Sequence, residues 1–280
     1  MTAESTLSTF IASDGDNVVV QDWPLEADAS LRGVVIVVHG LGEHAGRYEH
    51  LARQLNEWGF AVRGYDQCGH GESGGVRGSL PTDTRLLDDL ADIVDSTRTR
   101  MSRKTPLILL GHSMGGLVVG RFVSLAMRPV DGLILSSPAL DAGLNSVQKF
   151  LIAALLKIAP DLRVGNGVKP KFISHDPAVV AAYRADPRVH DRISARLARF
   201  IADAGPKTVA LAGQWRVPTL LMYAGDDRLL NPQGSRDFAA AAPNDVVTSV
   251  CFDTLYHEIF NELDAAPVYA ALRQWLDQRF

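Results

Sequence analysis

The stretch Ile108-Leu109-Leu110-Gly111-His112-Ser113-Met114-Gly115-Gly116 decides how the rest of the chain reads. Its apolar start has the character of a buried strand, and Gly-x-Ser-x-Gly then turns the backbone sharply into a helix expected over residues 117–127. Small residues at Gly111 and Gly115 permit a strained turn that a bulkier side chain would block. Such a turn lifts the Ser113 hydroxyl above the end of a sheet, at the N-terminus of the helix it opens. The first backbone N–H groups of a helix have no internal partner, so negative charge developing there is favoured. Gly, Ser and Gly meet at this spacing in many chains; the strand–turn–helix setting is what makes them informative.

Outward from this point, apolar runs alternate with helical patterns, the signature of a mostly parallel sheet covered by helices on both faces. Residues 6–12 and 17–22 read as a hairpin around Asp14-Gly15-Asp16. Further strands are expected at 33–38, 60–65, 107–111, 132–136, 219–224 and 246–252. Helices are expected at 47–58, 82–101, 233–242 and 263–279, each with its apolar residues on one side. Between about 139 and 216 the rhythm breaks. That interval has helical patterns, notably 146–159, but no convincing strand, and Pro170, Pro177, Pro187 and Pro206 divide the remainder into short pieces. An all-helical insertion between two sheet strands is most simply a lid over the edge where such sheets bind ligands.

Composition narrows the field. The chain has 280 residues, enough for one large α/β domain with an insertion, and 46% of them are hydrophobic, enough for a real core. A formal charge of −4 gives no support to nucleic acid or an anionic membrane surface as partner. Cys68 and Cys251, far apart, make no disulfide framework and read as buried free thiols. Residues 1–10 lack the basic end and apolar core of a secretory leader. Residues 150–158, the longest candidate span, are too short for a bilayer and interrupted by Lys157. A cytoplasmic protein is expected.

A serine hydroxyl needs a base to become a nucleophile at neutral pH, and a histidine base needs a carboxylate to fix its tautomer. In this architecture the two follow the serine in the order acid, then histidine, each on a loop after a strand. The strand at 219–224 is followed by Gly225-Asp226-Asp227-Arg228, and the strand at 246–252 by Asp253-Thr254-Leu255-Tyr256-His257-Glu258. His257 is the only histidine beyond residue 190, which nearly forces the choice of base. Asp227 is the candidate acid, with Asp226 as rival. Backbone N–H groups of Met114 and Leu41 are the candidate oxyanion donors, Leu41 lying in the loop His39-Gly40-Leu41-Gly42-Glu43. The spacing of His39, His44 and His50 fits no common zinc pattern, so no metal or other cofactor is expected. His39 is expected to shape a turn, His70 to form structural hydrogen bonds, and His175 and His190 to be surface groups.

The chain resembles α/β-hydrolases of the monoacylglycerol lipase and bacterial lysophospholipase-like group. The resemblance rests on the segments 39–48 (HGLGEHAGRY), 69–74 (GHGESG), 111–116 (GHSMGG), 227–229 (DRL) and 256–258 (YHE). It implies a mostly parallel eight-stranded sheet flanked by helices, with a helical cap inserted after the sixth strand. The core domain would then be 1–138 with 217–280, and the cap 139–216. It also implies a serine esterase cleaving one acyl chain from a small polar head, with Ser113, Asp227 and His257 as triad and Leu41 and Met114 as oxyanion hole. Arg47, His112 and Tyr183 would lie near the head group; an ordinary packing tyrosine is the other reading of Tyr183. The sequence departs from the family pattern in the acid loop, where Ala224 stands in the usual glycine place, and at Thr254, three residues before His257. Monoacylglycerols are the expected substrate. The alternatives are a lysophospholipid or a general short-chain or aromatic ester, and at most transient contact with a membrane surface is expected.

Overall fold

The computed structural model describes residues 4–280. Its framework is an eight-stranded sheet in the order β1-β2-β4-β3-β5-β6-β9-β10. These strands are β1 (Thr6–Ile11), β2 (Asn17–Trp23), β3 (Gly33–Val38), β4 (Phe60–Tyr65), β5 (Leu107–His112), β6 (Gly132–Ser136), β9 (Thr219–Ala224) and β10 (Val247–Phe252). The hairpin β1–β2 runs antiparallel at one edge, and all pairs from β4 to β10 are parallel.

The central strands are apolar throughout because both of their faces are covered. In β3, Val35 and Val37 point into one cluster and Ile36 and Val38 into another. The first cluster takes in Leu51 and Leu55 of α1 (Glu49–Glu57) and Leu272 and Trp275 of α8 (Ala266–Arg279). The second takes in Leu86 and Leu90 of α2 (Arg85–Thr99), Leu117 and Phe122 of α3 (Met114–Ser124), and Phe238 of α7 (Gln233–Ala241). Each fully buried Leu or Phe contributes roughly 1.5–3 kcal/mol of transfer free energy.

The order of strands locates the site. From β3 the chain crosses to β4 on one side, then returns to β5 on the other. The loops after β3 and β5 therefore diverge at a switch point, and open α/β sheets bind ligands in the crevice that results.

Between β6 and β9 lies the inserted segment. It holds α4 (Ser146–Ile158), β7 (Arg163–Gly165), α5 (Pro177–Ala185), β8 (Arg192–Ser194) and α6 (Ala195–Val209). Capping explains the helix starts. Asn145 and Gln148 form a reciprocal capping box at α4, Asp176 accepts from the Ala178 amide at α5, and Ser194 accepts from the Leu197 amide at α6. Three expectations are corrected. The segment is not purely helical, since β7 and β8 pair antiparallel. Pro206 does not end an element but lies inside α6, beside the buried Ala204, Gly205 and Thr208. Finally, α3 starts at Met114, directly after the serine, and not at residue 117.

Candidate active site

Ser113 caps α3 with φ 56° and ψ −119°, a left-handed conformation that costs a non-glycine residue free energy and persists only where its surroundings impose it. Those surroundings are explicit. The Ser113 amide donates to the Ser136 carbonyl at 2.9 Å, and the Ser113 carbonyl accepts from Ala139 at 2.9 Å and Leu117 at 3.0 Å. Gly115 passes so close to β3 that a Cβ there would lie 2.0 Å from the Val38 carbonyl oxygen. One on Gly111 would lie 2.4 Å from that of Gly115. The turn needs both glycines for lack of space.

His257 follows β10 and is 5% exposed. Its Nδ1–H donates to Asp227 Oδ2 at 2.7 Å, and Asp227 Oδ1 in turn accepts the amides of Leu229 and Leu230 at 2.9 and 3.0 Å. Burial alone would depress the His257 pKa; the Asp227 carboxylate outweighs it and leaves the imidazole above its ordinary 6.5. Asp226 points to solvent and pairs with Arg228 at 2.9 Å. Of the two adjacent carboxylates, it is Asp227 that faces the histidine.

Ser113 and His257 both line a cavity of about 790 Å³, together with Leu41 and Met114. Among the described residues the Leu41 amide has no hydrogen-bond partner. The far walls are apolar and come from the inserted segment: Leu151, Ile152 and Leu155 of α4, with Val164, Ile193 and Ile201. His112 and Tyr183 also reach this cavity. The His112 ring lies 4.7 Å from that of His257, and its Nδ1 meets Ser136 Oγ at 3.0 Å. Burial, then the neighbouring His257, push the His112 pKa down to about 4, so it stays neutral.

Arg47 is placed differently. It does not itself line the cavity but lies on a recess of about 10 Å³ with Tyr48, Glu43, His112 and Glu258, the last three of which border the cavity as well. Its Nη1 and Nη2 donate to Glu258 Oε1 and Oε2, both at 2.8 Å, and Nη1 also donates to Glu43. The guanidinium sits over the Tyr183 ring, 4.8 Å from its centroid. Sequence reasoning did not single out Glu43 and Glu258 as site residues. The signal was present: Glu43 stands four residues before Arg47, a spacing that pairs opposite charges, and Glu258 adjoins His257.

The remaining histidines are structural. His39 Nδ1–H donates to the Gly40 carbonyl at 2.8 Å and its Nε2 accepts the Gln67 amide at 2.9 Å, holding the turn after β3. His70 Nδ1–H donates to the Cys68 carbonyl at 3.0 Å. His190 is not a free surface group: its ring packs 4.8 Å from His70 and its Nε2–H donates to Gly69 at 3.1 Å. His175 is half exposed but stacks on Tyr256 at 3.5 Å and bonds Glu262 at 2.9 Å.

The family model described as serine aminopeptidase, S33, matches residues 29–264. The chain belongs to this family of α/β-hydrolases. This hydrolase is 34% identical over 271 residues to the monoacylglycerol lipase of Mycolicibacterium smegmatis, an alignment covering 96% of this chain and 95% of the relative. The solved structure of Paleococcus ferrophilus monoacylglycerol lipase matches it with a TM-score of 0.81 at 32% identity, covering 99% of this chain and all of the other. An uncharacterized abhydrolase domain-containing protein of Dictyostelium discoideum is 31% identical over 279 residues; the hydrolase spans 29% of that relative's length.

Proposed function

We propose that this α/β-hydrolase is a serine esterase that cleaves monoacylglycerols to fatty acid and glycerol. The observation that carries the reading is the strained Ser113 on the same cavity of about 790 Å³ as the Asp227-bonded His257, beneath the apolar walls given by Leu151, Ile152 and Leu155. Ser113 Oγ attacks the ester carbonyl while His257 Nε2 takes its proton. The tetrahedral oxyanion meets the amides of Leu41 and Met114, and His257 gives its proton to the departing glycerol oxygen. A water activated by His257 then hydrolyses the acyl-enzyme, releasing the fatty acid and restoring Ser113. Residues 139–216 act as the cap, its α4 face guiding the chain. No helix among the described residues is long and apolar enough to cross a membrane. On α4, however, Val147, Phe150 and Ile158 are 66%, 71% and 83% exposed, which suits brief contact with a lipid surface.

The test compares fatty-acid release from a long-chain monoacylglycerol, a lysophospholipid of the same chain and a short-chain aryl ester, with Ser113→Ala alongside. The reading expects the monoacylglycerol to be turned over fastest and Ser113→Ala to abolish all three activities with the thermal midpoint unchanged. Preference for the lysophospholipid, or for the aryl ester alone, would keep the serine and change the substrate class. Retained turnover in Ser113→Ala would remove the proposed nucleophile.

A further inference from the structure

The two loops that must cooperate in catalysis are far apart in sequence, one after β3 and one after β10. They are joined by buried charge. Glu43 Oε1 accepts the Gly40 amide at 2.6 Å and the Tyr48 hydroxyl at 2.7 Å, so this carboxylate shapes the loop that carries the Leu41 amide. Arg47 donates to Glu43 with one nitrogen and grips Glu258 with two parallel bonds of 2.8 Å. Glu258 is covalently next to His257, and its Oε2 also accepts from Asn261 Nδ2 at 2.7 Å. Glu43 is 3% and Glu258 6% exposed. The third connection reaches the inserted segment: the Glu258 amide donates to the Ile173 carbonyl at 2.8 Å, and Tyr183 lies under the guanidinium.

We propose that Glu43–Arg47–Glu258 is a positioning clamp that sets the oxyanion-donor loop and the His257 loop in register, and that Arg47 acts through these carboxylates instead of binding the substrate head group. The proposal rests on Ser113 and His257 being nucleophile and base. Its physical argument is geometric. A planar guanidinium with a bidentate partner fixes orientation as well as distance, which a flexible ammonium does not. The fixed separation it imposes runs from the Gly40 amide through Glu43, Arg47 and Glu258 to the backbone of His257. Displacement of a catalytic group by about 1 Å is enough to cost roughly a hundredfold in rate. Glu43 and Glu258 border the large cavity, but the Arg47 guanidinium does not line it and faces a separate recess of about 10 Å³.

Glu258→Gln tests this with the isosteric side chain, which keeps shape and removes charge. Glu43→Gln and Arg47→Lys are made alongside. Each is measured on a long-chain monoacylglycerol and on a short-chain aryl ester, which has no glycerol head. The clamp expects kcat to fall about tenfold to a hundredfold on both substrates, with KM within about threefold, and expects Arg47→Lys not to restore the rate.

A pH profile supplies a readout that mere loosening of the fold would not move. The groups facing His257 are Asp227, Glu258, Glu43 and His112, the last of these in turn facing Arg47. The Glu258 carboxylate favours the imidazolium, so its loss should move the acid limb of kcat/KM to lower pH. Should Glu258→Gln not fold, the two-substrate comparison and the pH profile rest on Glu43→Gln, whose carboxamide still accepts from Gly40. A defect confined to KM for the monoacylglycerol, or aryl-ester kcat within twofold of wild type, overturns the clamp. Ser113→Ala distinguishes that failure from failure of the triad: full activity in that variant would sink the underlying reading, whereas a dead Ser113→Ala beside an unaffected Glu258→Gln sinks the clamp alone.

Discussion

Asp226 and Asp227 are consecutive carboxylates with opposite surroundings. Asp227 is buried under the His257 imidazole and held by two amides, while Asp226 is exposed and paired with Arg228. The consequence is a sharp asymmetry. Asp227→Asn should lower kcat by about four orders of magnitude, since an amide in that place permits the wrong histidine tautomer. Asp226→Asn should stay within about twofold, as exposed pairs contribute little. The pH profile carries the sign. Catalysis needs neutral His257, and Asp227 holds its pKa above 6.5, so the wild-type acid limb should lie above pH 6.5. With Asp227→Asn the residual activity should persist to lower pH, because burial is then opposed only by the lesser pull of Glu258 and Glu43 on the imidazole. Equal damage from both variants would mean that the acid has been misplaced. At this scale Ser113 and His257 were legible in the sequence because chain order and a single downstream histidine constrain them. The sequence reading favoured Asp227 but kept Asp226 as a rival, since one residue of loop rotation exchanges them; it is Asp227 that bonds the histidine. Of the partners of Arg47, Glu43 was readable from its four-residue spacing, whereas Glu258 comes from the far end of the chain and only the fold brings it to the guanidinium.

Elements were legible where burial on both faces leaves an unbroken apolar run. The expected bounds of β3, β4, β6 and β9 coincide with those observed. Helix ends were less legible: α3 opens on Met114-Gly115-Gly116, and the glycines there read as a turn although they are already helical. The strands β7 and β8 have three residues each and are mostly exposed, so no alternation marks them. Helix α4 is the element with the least settled surroundings. It offers Leu151, Ile152 and Leu155 to the cavity while Val147 and Phe150 face outward. Phe150→Ser should leave a dissolved short-chain ester hydrolysed at the wild-type rate. Turnover of monoacylglycerol presented in vesicles should fall about tenfold, in line with the roughly 2 kcal/mol available from burying an aromatic ring. Equal rates on both presentations would remove the lipid surface from the role assigned to α4.

Across the whole molecule, the inserted segment is less separable than a lid drawn between two strands suggests. Its last helix, α6, belongs to the same cluster as the sheet: Leu197 and Ala204, with Ala212 and Trp215 beyond the helix, pack with Leu117, Leu135 and Phe238. Helix α4 is different, since it buries no residue fully, whereas Ile173 and Tyr183 after it are buried. The inserted segment and the sheet should therefore unfold together, with any independent mobility confined to α4. Leu197→Ala removes a side chain that is 0% exposed and should cost about 2–5 kcal/mol. Denaturant midpoints read from tryptophan fluorescence and from far-ultraviolet circular dichroism should shift by the same amount, as a single cooperative transition requires. Ile158→Ala, on the exposed face of α4, should change the midpoint by no more than about 0.5 kcal/mol. If Leu197→Ala instead split the transition, with helical signal lost while the tryptophan signal of the sheet core persists, α6 would belong to an autonomous unit. The sheet would then have to be closed by α2, α3 and α7 alone, leaving the buried faces of Leu117 and Leu135 without the cover that α6 now gives them.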